Sequence, residues 1–396
     1  MAAGVPASGP LVPDVSRIAV LRANALGDYM FSLPAMYSLQ AAYPDAELTL
    51  LGADWHARVL PGRPGPVHRV VRLPAIPGLT APAEEAGPGA AGSGDVAGTG
   101  VDAGADGIGE FLAWGRRQRF DLAVQLHGGG LHSNPVATAL GARVTAGLRA
   151  DDAPPLDRSV PYVYYHAEVF RYLEVAGLVG APPVTYRPRF EITDGDLAEA
   201  RAVLGEPRAG RPRAVLHPGA TDPRRRWPAE WFAAVGDALA ASGAEVLLTG
   251  VRAEREIVDR VCASMRERVR AVVDELSIGG LAGLYAHCAL VVANDTGPLH
   301  LAEAVGTRTV GLYWIGNMIN GAPVDRARHR PLISWTIHCP ECGADCTRDL
   351  YPARSDGTGC RHAPSFVADI AVAEVVDEAV DLLTDHRRET AAALPR

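Results

Sequence analysis

Short apolar runs alternate with helical patterns along most of this sequence, and this alternation restricts the chain to an α/β fold. In the first half, the runs RIAVLRA, ELTLLGA, VHRVVRLP and FDLAVQLHG are typical of buried strands. A second series begins at Arg213 and continues through EVLLTG, AVVDEL, ALVVAND and TRTVGLYW. Because parallel strands need long crossover connections, the pattern predicts two doubly wound domains with largely parallel sheets.

Composition along the chain gives the expected domain boundaries. Residues 1–15 lack the basic and apolar blocks of a secretion signal, so we expect a disordered tail on a cytoplasmic protein. An N-terminal domain is expected at 16–190, a C-terminal domain at 191–365, and a closing helix and tail at 366–396. Residues 78–109 are almost all Ala, Gly, Asp and Pro, which bury too little surface to offset their ordering entropy. A disordered insertion is therefore predicted there.

Charge and hydropathy exclude several classes of protein. The formal net charge of −8 argues against a general nucleic-acid binder, which needs clustered Lys and Arg to release counterions. No uninterrupted apolar stretch approaches the roughly 20 residues of a membrane span, so no transmembrane segment is expected. Neither half carries G-x-G-x-x-G after its first strand, and this disfavours a nicotinamide dehydrogenase.

The segment NDTGPLHLAEAVGT joins the end of an apolar strand to the start of a helix. Asp295 stands at the carboxyl end of that strand, where open α/β sheets bind ligands. Thr296 and Gly297 adjoin backbone N–H groups without intrahelical partners, and the helix dipole favours an anion at this end. The segment therefore predicts a phosphate or carboxylate site, although simple helix capping would also explain Asp295 and Thr296.

Two further loops carry groups suited to a nucleotide. Arg224, Arg225 and Arg226 lie between a Gly-containing turn and a helix start, where a guanidinium can pair bidentately with a phosphate. A solvated surface run is the alternative explanation for these arginines. In the next loop, Gly250 permits close approach and Glu254 could accept hydrogen bonds from ribose hydroxyls. A first-turn Glu also fits a helix-dipole role.

Taken together, these segments resemble glycosyltransferase family 9, typified by the ADP-heptose lipopolysaccharide heptosyltransferases. The resemblance is carried by RANALGDYMFSLPA, HPGA followed by RRWP, LTG with AERE, LSIGGLAGLYAHC and NDTGPLHLAEAVG. It implies a GT-B fold, with two facing Rossmann-like domains and a central cleft. It also implies that the C-terminal domain holds the nucleotide-sugar donor, that the N-terminal domain holds the acceptor, and that transfer inverts the anomeric carbon.

The resemblance assigns roles to individual residues. Asp28 matches the aspartate that the family uses as general base, and a carboxylate can take the proton of an attacking hydroxyl, although Asp28 could simply cap a helix. Arg225 aligns with a phosphate-binding lysine, a departure that keeps the charge but changes the reach. Glu254 matches the ribose-binding carboxylate. The donor loop is expected to contain Asp295, Thr296, Gly297 and His300.

The acceptor is expected at two strand ends of the N-terminal domain. One is the RANALGD segment around Asp28, and the other is HGGG, whose glycines would admit a substrate. HGGG also occurs in esterase oxyanion loops, but the sequence has no G-x-S-x-G elbow to supply a nucleophile. The predicted acceptor-side residues are Arg22, Asn24, Gly27, His127 and Gly128.

Four cysteines near the C-terminus have a spacing typical of metal sites. A C-x2-C-x3-C motif followed by a fourth thiol consists of Cys339, Cys342, Cys346 and Cys360. His338 and His362 adjoin the two ends of this group. Four thiols could close a structural zinc site or an iron–sulfur site. Free or redox-labile thiols are the alternative, because a reducing compartment disfavours disulfides.

The sequence thus predicts an inverting GT-B glycosyltransferase that moves a sugar, a heptose by the resemblance, from a nucleoside diphosphate to a hydroxyl of a cell-envelope glycan or glycolipid. No cofactor is expected for the transfer, and peripheral association with a membrane is compatible with such an acceptor. Two other functions fit the same residues. One is a nucleotide-sugar epimerase of the same fold, and the other is a non-catalytic nucleotide-sugar or metal-binding scaffold in which Asp28 is idle.

Overall fold

A computed structural model describes residues 9–23, 25–80, 105–205, 210–347 and 362–393. The chain divides into two compact units, Met1–Pro188 and Arg189–Arg396. Among the described residues, no helix is both long enough and apolar enough to cross a membrane.

The first unit is built on one parallel six-stranded sheet. Its strands are β1 (Arg17–Leu21), β2 (Glu47–Gly52), β3 (Arg69–Arg72), β4 (Leu122–Gln125), β5 (Val144–Arg149) and β6 (Arg158–Pro161). Its helices are α1 (Leu26–Ala42), α2 (Asp54–Val59), α3 (Ala105–Gln118), α4 (Ser133–Ala139) and α5 (Glu168–Leu178). The strand order is β3-β2-β1-β4-β5-β6, and the central β4 is buried along its whole length because helices cover both faces of the sheet.

The second unit repeats this plan. Its strands are β7 (Arg213–His217), β8 (Glu245–Gly250), β9 (Arg270–Val273), β10 (Cys288–Asn294), β11 (Thr309–Trp314) and β12 (His329–Ser334). Its helices are α6 (Asp194–Leu204), α7 (Ala229–Ala241), α8 (Arg255–Ser264), α9 (Ile278–Ala286), α10 (Gly297–Ala304), α11 (Ile315–Gly321) and α12 (Val372–Ala393). The strand order is β12-β11-β10-β7-β8-β9, again parallel throughout. Counted from its own first strand, each sheet has the doubly wound order of dinucleotide-binding folds.

The closing helix packs on the second unit. Helix α12 contacts α7, β10 and β11, and its apolar face joins the same core as Phe366 and Val367, which precede it. The amphipathic pattern predicted such a helix, and the structure shows that its first turn begins at Val372.

Two predicted disordered segments are wrong in part. Residues 9–15 are ordered because Val12 is buried and its N–H donates to the hydroxyl of Tyr43 at 3.1 Å. In the predicted insertion, residues 105–109 form the start of α3, an amphipathic helix that continues to Gln118. Residues 81–104 of that insertion lie outside the described part of the chain.

Candidate functional site

The predicted site residues follow neighbouring strands in each unit. In the first unit, β1 pairs directly with β4, and in the second, β7 pairs directly with β10. At such a point the connections leave the sheet in opposite directions and open a crevice at the carboxyl ends of the strands. Residues that follow these strands are therefore placed to contact a ligand of their own unit.

Asp28 is held at the start of α1 by a buried arginine. Its Oδ2 atom lies 2.6 Å from Nη2 of Arg22 and accepts a hydrogen bond from the N–H of Ala25 at 3.0 Å. The Arg22 side chain is 4% exposed and that of Asp28 is 41% exposed. In the described ranges, Oδ1 of Asp28 has no hydrogen-bond partner. Asp28 therefore caps the helix and also presents a free carboxylate oxygen. Gly27 is buried beside it, and Asn24 lies outside the described residues.

Arg22 is fixed by groups that are distant in sequence. Its Nη1 donates to the carbonyl of Leu126 at 2.6 Å and to the hydroxyl of Tyr172 at 2.9 Å. Burial lowers the pKa of Arg22, but the negative charge of Asp28 overcomes this and raises it above its usual value. Sequence analysis missed Tyr172 because no local pattern relates α5 to the end of β1.

His127 and Gly128 follow β4, and the charges of Arg22 and Asp28 both act on His127. Burial and the charge of Arg22 lower the pKa of His127 to about 3, against the opposing effect of Asp28, so its imidazole is neutral near neutral pH. Its Nδ1 atom is buried and has no hydrogen-bond partner among the described residues. Gly128 has a φ of +59°, a left-handed conformation that favours glycine. The structure thus brings Arg22, Asp28, His127 and Gly128 to one edge of the first sheet.

The three consecutive arginines after β7 differ in their internal contacts. Arg224 binds the carboxylate of Asp222 through Nε at 3.0 Å and Nη2 at 2.7 Å. Arg226 donates from Nε to a carbonyl of the preceding turn at 2.8 Å. Arg225 lies at the end of a 3-10 turn, and its Nη1 is 3.2 Å from the carbonyl oxygen and 3.4 Å from Oδ2 of Asp295. These contacts are long for a charged pair, so Arg225 can exchange them for contacts with an anion.

Asn294 joins the loop after β7 to the loop after β10. Its Oδ1 accepts a hydrogen bond from the N–H of Trp227 at 3.1 Å, and its Nδ2 donates to the carbonyl of Pro218 at 2.8 Å. Asn294 and Trp227 are both fully buried. This link, which sequence analysis did not select, sets Arg225 beside Asp295.

Asp295 is a buried carboxylate with several partners. Its Oδ1 lies 3.0 Å from Nε2 of His300, and its Oδ2 accepts a hydrogen bond from Nδ2 of Asn317 at 2.5 Å. Burial raises the pKa of Asp295, but hydrogen bonding and the charges of His300 and Arg225 bring it below its usual value. Asp295 is therefore an anion over the whole neutral range.

Thr296 and Gly297 leave the start of α10 open. Thr296 is the N-cap residue, but its hydroxyl donates to the carbonyl of Asn294 at 3.3 Å and accepts no hydrogen bond from the helix. The N–H groups of Gly297 and Leu299 lie in the first turn, where the helix supplies no acceptor, and Pro298 has no N–H. These donors, together with the helix dipole, provide a place for a phosphate oxygen beside Arg225.

Glu254 follows β8, the strand next to β7. Its Oε2 accepts a hydrogen bond from the N–H of Val251 at 3.0 Å and lies 3.7 Å from Nε2 of His217. Burial lowers the pKa of His217 despite the opposing charge of Glu254, so the histidine is neutral. A Cβ atom on Gly219 would lie 2.1 Å from Cδ of Glu254, so this carboxylate rests directly on the loop after β7.

The cysteine motif forms a cluster with one histidine. Ligand atoms of Cys339, Cys342 and His362 all lie within 4.8 Å of one another. Cys339 and Cys346 are buried in the core of the second unit, whereas Cys342 and His362 are exposed. Cys360 lies outside the described residues. Two of the four predicted thiols therefore lie close enough to share a metal ion. His362, which the sequence analysis named beside the motif, is a third candidate ligand.

Comparison with known proteins identifies relatives that match parts of both units. The family model for glycosyltransferase family 9 (heptosyltransferase) matches residues 115–343. The chain is 24% identical over 319 residues to lipopolysaccharide heptosyltransferase 2 of Escherichia coli K12, covering 75% of this chain and 82% of that protein. It is also 24% identical over 159 residues to lipooligosaccharide heptosyltransferase 2 of Campylobacter jejuni, covering 37% and 50%. The chain spans half or less of the relatives from Campylobacter jejuni, Haemophilus influenzae and Pseudomonas aeruginosa that it matches.

Two solved structures share the fold over nearly the full length. A family 9 glycosyl transferase from Veillonella parvula superposes with a TM-score of 0.70 at 19% identity, covering 93% of this chain and 97% of that one. The ADP-heptose LPS heptosyltransferase II of E. coli gives a TM-score of 0.67 at 20% identity, covering 94% and 99%. The predicted GT-B fold is confirmed by these matches and by the two parallel sheets.

Proposed function

This chain belongs to glycosyltransferase family 9, and we propose that it transfers a heptose from ADP-heptose to a hydroxyl group of a lipopolysaccharide-type glycolipid. The donor and acceptor classes are those named for the E. coli relatives. The observation that carries the proposal is the arrangement in the second unit, where Arg225, the open start of α10 and Glu254 follow adjacent strands.

In this proposal the second unit binds the donor. The diphosphate accepts hydrogen bonds from Arg225 and from the first-turn N–H groups of α10, and the ribose hydroxyls donate to Glu254. As the bond between the anomeric carbon and the diphosphate breaks, negative charge develops on the leaving phosphate. Donors fixed in advance stabilise that charge by several kcal/mol, so the transfer needs no metal ion or other cofactor.

We assign the role of general base to Asp28. Its free Oδ1 can take the proton of the acceptor hydroxyl as the oxygen attacks the anomeric carbon from the face opposite the leaving group. Arg22 holds the other carboxylate oxygen, so the orientation of Asp28 is set before the acceptor binds. We also place His127, which is neutral and follows the neighbouring strand β4, on the acceptor side.

The test compares Asp28→Asn with Asp54→Asn. Asp54 is a matched control, because it is 44% exposed, lies at a helix start of the same unit and pairs with Arg58 and Arg72. With ADP-heptose and a heptose-accepting glycolipid, we expect Asp28→Asn to lose roughly 10²- to 10⁴-fold in kcat and to keep the wild-type Kd for ADP. Thermal unfolding shows whether each variant is folded. Full turnover by Asp28→Asn would contradict the assigned base.

Acceptor dependence separates the transferase from the epimerase of the same fold. A transferase releases ADP at a rate that depends on the glycolipid, whereas an epimerase alters the donor without one. We expect ADP release to rise with acceptor concentration and the donor sugar to be unchanged when the acceptor is left out. Conversion of the donor with no acceptor present would overturn the proposed reaction.

We also propose a cytoplasmic location, with a membrane approached only through the glycolipid acceptor. Cys262 and Cys288 are free thiols, and free thiols persist in a reducing compartment. Co-sedimentation with vesicles that contain or lack the acceptor glycolipid tests this, and we expect binding only when the acceptor is present. Equal binding to plain vesicles would indicate a separate membrane-binding surface.

For the cysteine cluster we propose a structural zinc ion held by Cys339, Cys342 and His362, with a fourth thiolate from Cys346 or Cys360. Mixed sulfur and nitrogen ligands suit tetrahedral zinc. Metal analysis of the purified protein should find one zinc per chain, lost in Cys342→Ser and kept in the control Cys262→Ser on α8. Iron with the absorption of a sulfide cluster, or no metal at all, would contradict zinc.

A further inference from the structure

A row of buried ionisable side chains extends from the donor loop into the second unit. Nε2 of His300 lies 3.0 Å from Oδ1 of Asp295, and Nδ1 of His300 lies 3.2 Å from Oε2 of Glu303. The hydroxyl of Tyr313 donates to Oε1 of Glu303 at 3.3 Å. Each of these four side chains is at least nine-tenths buried. Such a row is costly to bury unless its charges balance and its hydrogen bonds are satisfied.

The two carboxylates fix the protonation of His300. A neutral imidazole has one donor and one acceptor nitrogen, so it would turn a lone pair toward one of the carboxylates. With both nitrogens protonated, each carboxylate receives a charged hydrogen bond. Burial lowers the pKa of His300, but Asp295 and Glu303 together raise it to about 10. Both ring nitrogens of His300 are therefore engaged by carboxylates, and none is left for the nucleotide sugar.

Protonated His300 determines whether the guanidinium of Arg225 is available to a ligand. Asp295 has two possible cationic partners, His300 at 3.0 Å and Arg225 at 3.4 Å. Because His300 neutralises the buried carboxylate, Arg225 keeps only a long contact with it and remains 33% exposed. A neutral His300 would leave Asp295 to attract the guanidinium of Arg225, and the diphosphate would have to compete for it.

We propose that Glu303 and Tyr313 are positioning residues of the donor site, which hold His300 as the counter-ion of Asp295 and so leave Arg225 for the diphosphate. The proposal rests on the proposed function of this site. Other groups that act on the row include Asn317 on α11, which donates to Asp295, Arg225, whose charge acts on Asp295, and Arg326, whose charge acts on Tyr313 from the segment before β12.

The test replaces Glu303 by Gln and follows two readouts over pH 6 to 9.5. Nitrogen-15 NMR reports the protonation of the His300 imidazole, and its signal is identified by its absence from the His300→Asn variant. Calorimetry reports the Kd for ADP. In the wild type we expect His300 to stay protonated up to pH 9. In Glu303→Gln its titration should move toward neutral pH, and the Kd for ADP should rise about tenfold above that titration point and match the wild type below it.

Two further variants complete the experiment. Tyr313→Phe should shift both readouts in the same direction by less, and exposed Glu256→Gln on α8 should change neither. The proposal would be overturned if His300 of the wild type titrated below pH 7. It would also be overturned if His300 of the Glu303→Gln variant titrated near neutral pH while the Kd of that variant for ADP did not change with pH. Failure of the wild type to bind ADP at any pH would instead overturn the proposed donor, while the NMR titration would still show whether Glu303 controls the charge of His300.

Discussion

At the scale of single residues, function depends on which side chains have internal contacts that a ligand can replace. Arg224, Arg225 and Arg226 are equivalent in the sequence, yet Arg224 pairs closely with Asp222, whereas Arg225 has only contacts of 3.2 and 3.4 Å to Asp295. The carboxylates differ in the same way, because Oδ1 of Asp28 has no partner among the described residues whereas both oxygens of Asp295 are engaged. A side chain with weak internal contacts, such as Arg225, is the one that can exchange them for contacts with a ligand.

Arg225→Gln should weaken ADP binding strongly. A hydrogen bond to a charged group contributes about 1.5–3 kcal/mol, so we expect the Kd to rise roughly 10- to 150-fold. Isothermal titration calorimetry measures this directly. Arg252→Gln is the control, because that side chain is 92% exposed in the same unit and should leave the Kd unchanged. Equal Kd values for Arg225→Gln and the wild type would remove Arg225 from the donor site.

Gly219→Ala should act through Glu254. The new Cβ would overlap the carboxylate of Glu254, which must move away from the loop after β7. If Glu254 binds the ribose, we expect about tenfold weaker ADP binding for Gly219→Ala, or about 1.4 kcal/mol.

A double-mutant cycle with Glu254→Ala tests this path. Once the carboxylate is absent, Gly219→Ala should cost little further affinity, which gives a coupling energy of about 1 kcal/mol. Additive losses in the double variant would show that Gly219 affects ADP binding without Glu254.

At the scale of secondary-structure elements, sequence predicted most of the fold and the position of the site loops. Buried parallel strands are continuous apolar runs, so β1, β2, β7, β8 and β10 were readily identified. The edge strands β6 and β12 were missed because their outer positions are polar or proline, and the neighbouring β5 was missed as well. The positions of the ligand loops could be predicted from the ends of the strands. The roles of Tyr172, Asn294 and Glu303 depend on contacts that sequence spacing does not reveal.

The segment 362–366 connects the cysteine cluster to the arginine loop. His362 lies at one end, and at the other the N–H of Phe366 donates to the carbonyl of Arg224 at 2.7 Å. The guanidinium of Arg224 also lies 5.8 Å from the ring centre of Phe366. A metal bound through His362 would therefore restrict the 3-10 turn that carries Arg225.

Removal of the metal should weaken ADP binding without abolishing it. Couplings of this kind are about 0.5–2 kcal/mol, so we expect a roughly 2- to 30-fold higher Kd after chelation, reversed by added zinc. Cys342→Ser should reproduce the higher Kd and show no response to the chelator, whereas Cys262→Ser should behave as the wild type. An unchanged Kd in metal-free protein would show that the cluster and the donor loop are independent.

At the scale of the whole molecule, acid should destabilise the first unit. Burial lowers the pKa of His56 and of His127 to about 3, from the ordinary value of 6.5 in the unfolded chain. Below pH 6.5 the unfolded unit binds protons that the folded unit does not. Its stability is therefore complete above pH 6.5 and is lost as the pH falls from 6.5 toward 3, by up to about 1.4 kcal/mol per pH unit for each histidine.

The second unit should differ by losing stability in alkali as well. Its His217 has a lowered pKa and adds to the loss in acid, but the folded pKa of His300, about 10, lies above the unfolded value of 6.5. The stabilisation from His300 is complete below pH 6.5 and is lost as the pH rises from 6.5 through 10. Raising the pH from 7 to 9 should thus lower the opening free energy of the second unit and leave that of the first nearly constant.

Hydrogen-exchange mass spectrometry, corrected for the intrinsic effect of pH on exchange, measures the two units separately in one protein. Glu303→Gln provides the control, because a His300 that has already lost its proton near neutral pH has no further proton to lose in alkali. We expect the alkaline loss in the second unit to shrink in that variant while the acid response of the first unit stays the same. Loss of protection in the first unit at pH 9, or an alkaline loss in Glu303→Gln equal to that of the wild type, would assign the effect to groups other than His300.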